Sequence, residues 1–474
     1  MRSTIKIVIL LSFICTSMSG ASFPDMEKYM RQHALIWEQL PMQWNEGAFL
    51  GNGLVGMMVY ADSTLNALVF HLGRPDVTDH RKAPYRKTSI GTEEADKMVD
   101  FCRLDVGKML LFPEGKILSG TFYLDIYNAE LTGHLKTDKG DLTFHAYTPQ
   151  PEEVNIVEVS SGVPYRWKGI PGNPCSPRIR VFPHLKEKLK YKDNPAPVVN
   201  QKDKEGSWVQ SLLAGGDYAT YWKEVPGGKS RSVLYVSTAN EVPASSLSLA
   251  KAMKTVEATQ ITGTKLLKQK TRQWWNAYHE RSFLSIPDKK LENFYFIQMY
   301  KLATCSHPDG PAMDVMGTFF KLSPWPSFWW NLNIQLTYMP IGPANRMEQG
   351  KNFQRLMDEV FPSLVRSIEP CKIGDYTWAL QNYYMYLRYA GADWQDIKQQ
   401  VVPKALDAFA VFDKILCYKE NTWHLTHIES PEYEGFQKYN DSNYGLASLS
   451  WLLQTLIACH DRTSSTHPDY ARWK

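Results

Sequence analysis

The first half of the chain has the mixture of apolar and polar positions that is typical of β strands. TFYLDIYNAELTGHLKTDKGDLTFHAYTP is rich in β-branched and aromatic residues and contains a turn at Asp138, Lys139 and Gly140. NIVEVSS and SRSVLYVSTA have the same character, whereas GIPGNPCSP and DNPAPVV are typical of loops. Many strands with no long helical pattern between them predict an N-terminal β-sandwich domain over residues 22–245.

Near residue 245 the apolar residues change to spacings of three and four, which is typical of helices. SSLSLAKAMKTVEATQ and GTKLLKQKTRQWWNAYHERS predict a helical linker over residues 246–285. Pro287 marks the start of the next helix. Apolar faces continue to the end of the chain and predict about five or six helices within residues 286–474. Their apolar positions include Leu291, Phe294, Met299, Phe353, Leu356, Val360, Phe361, Leu364, Leu380, Tyr383, Leu387, Val402, Leu406, Phe409, Leu449, Leu453 and Leu456.

The N-terminus has the layout of a secretory signal. Arg2 and Lys6 precede a short apolar run, and small residues follow up to Ala21. The run is too short for a spanning helix, and a lipidated Cys15 is a weaker alternative because Ile14 precedes it. We therefore expect a signal peptide over residues 1–21 and a secreted or periplasmic protein with no membrane span.

Composition and charge exclude few classes of function. Aromatic residues make up 13% of the chain, which fits either large cores or a carbohydrate-binding surface. The formal net charge is +4 and no basic run indicates nucleic acid as a partner. The cysteines beyond the leader lack CxxC spacing, so we expect free buried thiols, no metal site and no cofactor. The oligomeric state stays open.

The stretch WWNLNIQLTYMP crowds aromatic side chains beside amides. Asn331 and Asn333 are two residues apart, so in an extended segment both would point the same way and could bind a water or a hydroxyl. An amide oxygen is a poor base unless a carboxylate polarises its NH2 group. The alternative is a pair of turn-forming asparagines at the mouth of a helix.

A second candidate stretch, HLTHIESPEYEGF, concentrates carboxylates. Ser430 and Pro431 exclude a helix across this point, so Glu432 is predicted to lie in a loop. A loop glutamate among aromatics can have its pKa raised by desolvation, as a general acid requires. The alternative is a solvated acidic loop. LGNGLVGMMVY, which contains several glycines, is predicted to be a tight turn into a strand.

Both stretches resemble the catalytic region of glycoside hydrolase family 95, which includes α-L-fucosidases and α-L-galactosidases. WWNLNIQLTYMP is similar to the family's W-N-I-N-x-Q-x-x-Y-W-P, and ESPEYEGF to its S-P-E loop. WEQLPMQWNEGAFLGNGLVGMMVYA resembles the family's opening. GDYTWALQNYYMYLRYAGADWQDIKQQVVPKALDAFAVF resembles a segment ending in Y-x-G-D, followed by a helix with a proline in its middle. HLGRPDVTD resembles an uncharacterised bacterial subgroup of the family more closely than it resembles the characterised fucosidases.

The resemblance implies a β-sandwich, a helical linker and an (α/α)6 barrel in an inverting exo-hydrolase. It implies Glu432 as the general acid and Asn333 as the residue that positions water, with Asn331 beside it. The family's polarising aspartate would fall beyond residue 474, so we expect an incomplete barrel with weak or no activity. The implied substrate-binding residues are Trp329, Trp330, Gln335, Tyr338 and His427.

Two other functions remain open from the sequence. One is a carbohydrate-binding remnant without catalysis, which the missing aspartate favours. The other is a lyase or an inverting phosphorylase on a similar scaffold. Nothing pairs Tyr338 with His427 as a lyase would need, and no cluster of Arg, Lys and His indicates a phosphate site. The sugar itself cannot be deduced.

Overall fold

The structure is a computed structural model that describes residues 25–81, 97–241, 247–429 and 437–474. The predicted signal peptide and the candidate acid Glu432 lie outside these ranges. Within them, no helix is both long and apolar enough to cross a membrane. The cysteines in the described part of the chain are free, and three of them, Cys102, Cys371 and Cys459, are buried.

Two large antiparallel sheets make up most of the first half, as the strand-like patterns predicted. The larger sheet has the strand order β1-β6-β7-β8-β9-β14-β13-β12-β11, and the smaller has the order β10-β5-β4-β3-β2. The strands are β1 (Leu35–Trp37), β2 (Ala48–Gly51), β3 (Gly56–Asp62), β4 (Ala67–Gly73), β5 (Lys108–Pro113), β6 (Ile117–Asp125), β7 (Glu130–Thr137), β8 (Gly140–Tyr147), β9 (Val154–Ser161), β10 (Tyr165–Ile170), β11 (Val198–Gln201), β12 (Glu205–Ser211), β13 (Asp217–Gly228) and β14 (Arg231–Glu241).

The two sheets share one hydrophobic core. The ring of Phe70 on β4 meets that of Phe144 on β8 at a centroid distance of 5.5 Å, and that of Trp167 on β10 at 5.4 Å. Alternate residues of β7 and β8 are buried, as expected for strands with one face on a core. The period-two pattern in the sequence therefore reflects which side chains face the other sheet.

The second half is helical, with four short strands in two hairpins. Three short helices, α1 (Met26–Met30), α2 (Pro177–Val181) and α3 (Leu185–Lys188), belong to the first half. The helices of the second half are α4 (Ser248–Thr262), α5 (Thr264–His279), α6 (Lys289–Cys305), α7 (Asn333–Tyr338), α8 (Lys351–Glu359), α9 (Phe361–Ser367), α10 (Ile373–Tyr389), α11 (Trp394–Gln400), α12 (Val402–Phe412), α13 (Asn443–Thr463) and α14 (Tyr470–Trp473). The hairpin strands are β15 (Leu416–Lys419), β16 (Thr422–Leu425), β17 (Ile428–Glu429) and β18 (Lys438–Tyr439).

Prolines divide the helical region more finely than the apolar spacing predicted. The run from Phe353 to Leu364 is two helices, because Pro362 lacks the N–H that would continue α8 and instead lies in the first turn of α9. Pro403 lies in the first turn of α12, so the expected proline in the middle of a helix is wrong.

The glycine-rich turn after β2 packs against the C-terminal end of α6. Gly53 has φ +84°, and its N–H donates to Thr304 O at 3.0 Å. A Cβ on Gly53 would lie 2.3 Å from the carbonyl carbon of Ser306, so only glycine fits. The prediction of a tight turn into a strand is confirmed, and the turn also fixes the sheets against the helical region.

Two arginines hold the long segment between α6 and α7 against the sheets. Arg103, 1% exposed, donates from Nη1 to Gly317 O at 2.6 Å and pairs with Asp314 at 3.1 Å. Arg178 Nη1 donates to Pro324 O at 2.5 Å. Because these contacts link residues far apart in sequence, they determine the shape of the space between the two regions.

A network of charged side chains joins α5 to the larger sheet. Arg272 donates to both carboxylate oxygens of Glu130, at 2.5 and 2.7 Å, and His145 Nε2 lies 2.9 Å from Glu130 Oε2. Burial alone would raise the pKa of Glu130, but the bonds from His145 and Arg272 outweigh it and lower that pKa to about 2.

Glu130→Gln is expected to lower the free energy of unfolding by about 2 kcal/mol at neutral pH, discounted because Arg272 is half exposed. A depressed carboxyl pKa stabilises the fold above the unfolded pKa. The difference from the unsubstituted protein should therefore shrink as the pH falls from about 4.5 to about 2. Urea unfolding across this range measures it. Glu114→Gln, which removes an exposed pair with Lys139, is the matched control, and an equal loss in both variants would contradict the prediction.

Candidate active site

Residues 329–333 form a strained turn that leads into α7. Leu332 has φ 61° and ψ −52°, and the N–H of Asn333 donates to Asn331 O at 2.6 Å. This is a γ-turn with positive φ, a rare conformation for a leucine. The expectation of an extended segment is wrong, and the alternative of turn-forming asparagines at the mouth of a helix is confirmed. Asn331 is 4% exposed, whereas Asn333 is exposed.

Three of the predicted substrate-binding residues lie in the core beneath this turn. Trp330 stacks on Tyr376 with a centroid distance of 5.1 Å. Gln335 is fully buried, and its Nε2 donates to Trp330 O and, at 2.9 Å, to Asp375 O. Tyr338 OH accepts from Met313 N at 2.8 Å and lies 2.8 Å from Asn352 Oδ1. In the described structure these side chains fix the turn.

A cleft of about 1840 Å³ lies between the sheets and the helical region. Asn333 and Leu332 line it, whereas Asn331 lines a different cavity, so the γ-turn separates the two amides. Aromatic residues form much of the cleft wall. The cleft is lined by Trp44, Phe49, Met58, Arg178, Phe182, His184, Lys188, Phe294, Gln298, Lys301, Met313, Asp314, Phe319, Lys321, Trp325, Trp329, Leu332, Asn333, Leu336 and Thr337, among others.

Two tryptophans lie side by side in the cleft wall. The ring centroids of Trp325 and Trp329 are 5.0 Å apart, and Trp325 is 40% exposed whereas Trp329 is 6% exposed. An exposed indole offers an apolar plane with a polar N–H, which suits the C–H face of a sugar ring. Trp329 was predicted from the sequence and Trp325 was not, although prolines flank Trp325 in the loop SPWPS.

The second cavity lies behind the turn and has a volume of about 10 Å³, room for about one water molecule. It is lined by Asn331, Lys372, Gly374, Asp375, Glu429 and Tyr444. The Nδ2 of Asn331 is buried and has no hydrogen-bond partner among the described residues. Tyr444 OH donates to Asp375 Oδ1 at 2.6 Å. The cavity therefore places a buried amide N–H2 group beside carboxyl groups.

The carboxyl group of Asp375 has a pKa near neutral pH. Burial raises the pKa of Asp375 to about 7, and the charge of Glu429 adds to this rise. The bond from Tyr444 and the charge of Lys372 oppose it. Tyr444 keeps its proton, because burial and the adjacent Asp375 raise the pKa of Tyr444 well above its usual range. A carboxyl group in this state can take up or release a proton near pH 7.

Strand β17, which precedes the predicted acid in the sequence, lies against the small cavity. Ile428 pairs with Tyr439, and Glu429 pairs with Lys438. Glu429 lines the small cavity, and Glu432 itself lies outside the described residues. His427 is exposed with φ 54°, and its N–H donates to Asn440 Oδ1 at 3.1 Å. The prediction of a continuous loop is corrected where β16 and β17 flank His427.

Comparison with known proteins shows the fold alone. No protein-family model matches the chain, and no curated protein matches it by sequence. A solved structure named as a kojibiose phosphorylase from the human microbiome matches with a TM-score of 0.56 and 10% identity, over 90% of this chain. A bacterial glucoamylase complexed with acarbose matches with a TM-score of 0.46 and 8% identity, over 93% of this chain and 68% of its own.

The match to the kojibiose phosphorylase structure supports a fold in which a β-sheet region is followed by a helical region. The chain spans 64% of the length of that structure, which is less than two thirds. At 10% identity the likeness carries no residue roles.

Proposed function

We propose that the protein is an exported, carbohydrate-active enzyme of the glycoside hydrolase family 95 type. In this proposal the two sheets form a β-sandwich domain over residues 22–245, and α4 and α5 form the linker at residues 246–285. The helices of residues 286–474 form an incomplete (α/α)6 barrel, which is the catalytic domain. The reaction is the inverting exo-hydrolysis of terminal α-L-fucosyl or related galactosyl residues.

The observation that carries the proposal is the position of the γ-turn between the two cavities. On one side Asn333 reaches an aromatic-walled cleft large enough for several sugar rings. On the other side Asn331 lies in a cavity with Asp375, whose pKa is near 7. Active sites are where strained backbone and shifted pKa values tend to occur together. The WWNLNIQ resemblance to family 95 covers the same residues.

The proposed mechanism uses an acid and a water activator on opposite sides of the glycosidic bond, roughly 6.5–9.5 Å apart. Glu432 donates a proton to the leaving oxygen. Asn333, which faces the cleft, holds the attacking water, which adds to the anomeric carbon as the glycosidic bond breaks. Asp375, in the second cavity, accepts the proton that the water loses by relay across the turn through Asn331. Asp375 supplies the carboxylate that a water held by an amide requires.

Glu432→Gln should reduce hydrolysis of oligosaccharides with a terminal α-L-fucosyl or α-L-galactosyl residue by at least about 100-fold, because a sugar leaving group departs only when its oxygen is protonated. Release of the free monosaccharide measures it. Glu434→Gln, two residues further along the chain, is the matched control and should retain activity. Equal activity of Glu432→Gln and the unsubstituted chain would refute Glu432 as the acid.

The alternative function is carbohydrate binding without hydrolysis. The cleft wall favours it as strongly as it favours catalysis, because stacking planes bind sugars whether or not a reaction follows. Sugar-dependent thermal stabilisation of the protein without any product release would select this alternative.

A further inference from the structure

Positive charges line the cleft beside its aromatic rings. Lys321 Nζ lies 5.4 Å from the ring centroid of Trp44, and Lys301 Nζ lies 5.7 Å from that of Phe49. The guanidinium of Arg178 lies 5.1 Å from the ring centroid of Trp325. Each of these pairs combines a cation with an apolar plane on the wall of one cleft.

Negative charge is scarce on the same surface. Among the described residues that line the cleft, Asp314 is the only carboxylate, and it is paired with the buried Arg103 at 3.1 Å. Lys188 and His184 also line the cleft. The balance of charge along the cleft is therefore positive, and low-dielectric walls strengthen the field of such a surface.

We propose that this cleft binds carbohydrate chains that carry negative charges, either the carboxylates of uronic acids or sulfate esters. This inference rests on the proposed function, because it names the class of polymer from which a terminal sugar would be removed. A sugar ring packs its C–H face on Trp44 or Trp325, and the adjacent cation binds the anionic group of the same or the next ring. Neutral chains gain only the stacking contacts.

The test is isothermal titration of the whole purified chain with oligosaccharides matched in length. Tetragalacturonate supplies carboxylates, a sulfated galactotetraose supplies sulfate esters, and galactotetraose is the neutral partner. We expect roughly tenfold or tighter binding of at least one acidic ligand over the neutral one, weakening as salt is added. The two acidic ligands distinguish carboxylate from sulfate recognition. A short polyglutamate peptide tests whether charge alone suffices.

Substitution of the two exposed cleft lysines tests the assigned residues. The double variant Lys301→Gln with Lys321→Gln should lose roughly tenfold in affinity for the acidic ligand and little for galactotetraose. Lys254→Gln with Lys265→Gln removes the same charge from α4 and α5, away from the cleft, and is the matched control. Arg178 is left unchanged because it also holds Pro324 O.

Three results would overturn the inference: equal affinity for neutral and acidic sugars, equal affinity for the polyglutamate peptide, or equal losses in the two double variants. These experiments distinguish failure of the inference about acidic chains from failure of the proposed function. Hydrolysis of neutral 4-nitrophenyl glycosides without preference for acidic chains leaves the proposed function standing. Acidic-chain binding that depends on the cleft lysines, with no hydrolysis of any glycoside, supports the cleft inference and removes the hydrolase.

Discussion

Asp375→Asn is expected to lower kcat/KM by about 100-fold or more for a 4-nitrophenyl glycoside that the unsubstituted protein hydrolyses. The reason is that the variant lacks the carboxylate that accepts the proton from the attacking water. The proposed base is active when ionised. Activity of the unsubstituted chain should therefore rise with pH through a midpoint near 7, and this limb of the profile should be absent in the variant. Steady-state rates measured from about pH 5 to about pH 9 give both quantities.

The same substitution should stabilise the protein at alkaline pH. The pKa of Asp375 is raised above its unfolded value, so the folded state holds the extra proton and loses stability as the pH rises from about 4 to about 7. An asparagine carries no charge to desolvate, and its Oδ1 can still accept from Tyr444. Asp375→Asn is therefore expected to be more stable than the unsubstituted chain by up to about 3 kcal/mol near pH 8.

Tyr444→Phe is a second test of whether Asp375 determines the pH profile. The hydroxyl donates to the Asp375 carboxylate and lowers its pKa, so its removal should move the midpoint of the pH profile upward. A purely structural Asp375 would give a destabilised Asp375→Asn variant with an unchanged profile per folded molecule. That outcome would remove Asp375 from the proposed mechanism.

Gly73→Ala is expected to lower the free energy of unfolding by about 3 kcal/mol, among the larger effects for one added methyl group. A Cβ at Gly73 would lie 1.9 Å from Thr318 O, a backbone atom of the segment between α6 and α7. Thr318 cannot retreat freely, because its Oγ1 donates to Thr304 O at 2.8 Å. Chemical denaturation of the purified variant measures the loss.

Gly227→Ala is the matched control for Gly73→Ala. A Cβ there would meet no atom closer than 3.6 Å, so stability should change by less than about 1 kcal/mol. Gly73→Ala should also weaken ligand binding in the cleft, since the 313–325 segment lines it. Equal stabilities for the two variants would show that the contact between β4 and this segment is looser than the structure has it.

The fold was predictable from the sequence to the extent that it depends on repeating local patterns. Strand-like runs located β6, β7 and β8, and apolar spacings located α6, with Asp288 rather than Pro287 at its start. The break at Val360 was missed, because an apolar face continues across it while Pro362 ends the hydrogen-bond ladder. Sheet order and the contacts of Arg103 were beyond the sequence, since they join residues far apart along the chain.

The candidate site was predictable only in part. The chemistry of WWNLNIQ led to Asn331 and Asn333, but no local rule indicates that a leucine adopts positive φ between them. Asp375 was missed because it lies in the first turn of a helix, where a carboxylate is ordinary. Its burial beside Tyr444, which is 69 residues away, is a tertiary fact. One feature of the sequence could have indicated Asp375: it is a single acidic residue among the apolar residues Ile373, Tyr376 and Trp378.

The γ-turn at Leu332 also has a thermodynamic consequence. The two cavities share one short piece of backbone, with Asn333 facing the cleft and Asn331 facing Asp375. A ligand that displaces Asn333 on binding also displaces Asn331, and so changes the environment of the Asp375 proton. Linkage is reciprocal, so the affinity of such a ligand must depend on pH around 7 by the same coupling free energy. The strained backbone at Leu332 would thus couple ligand binding in the cleft to protonation of Asp375 in the second cavity.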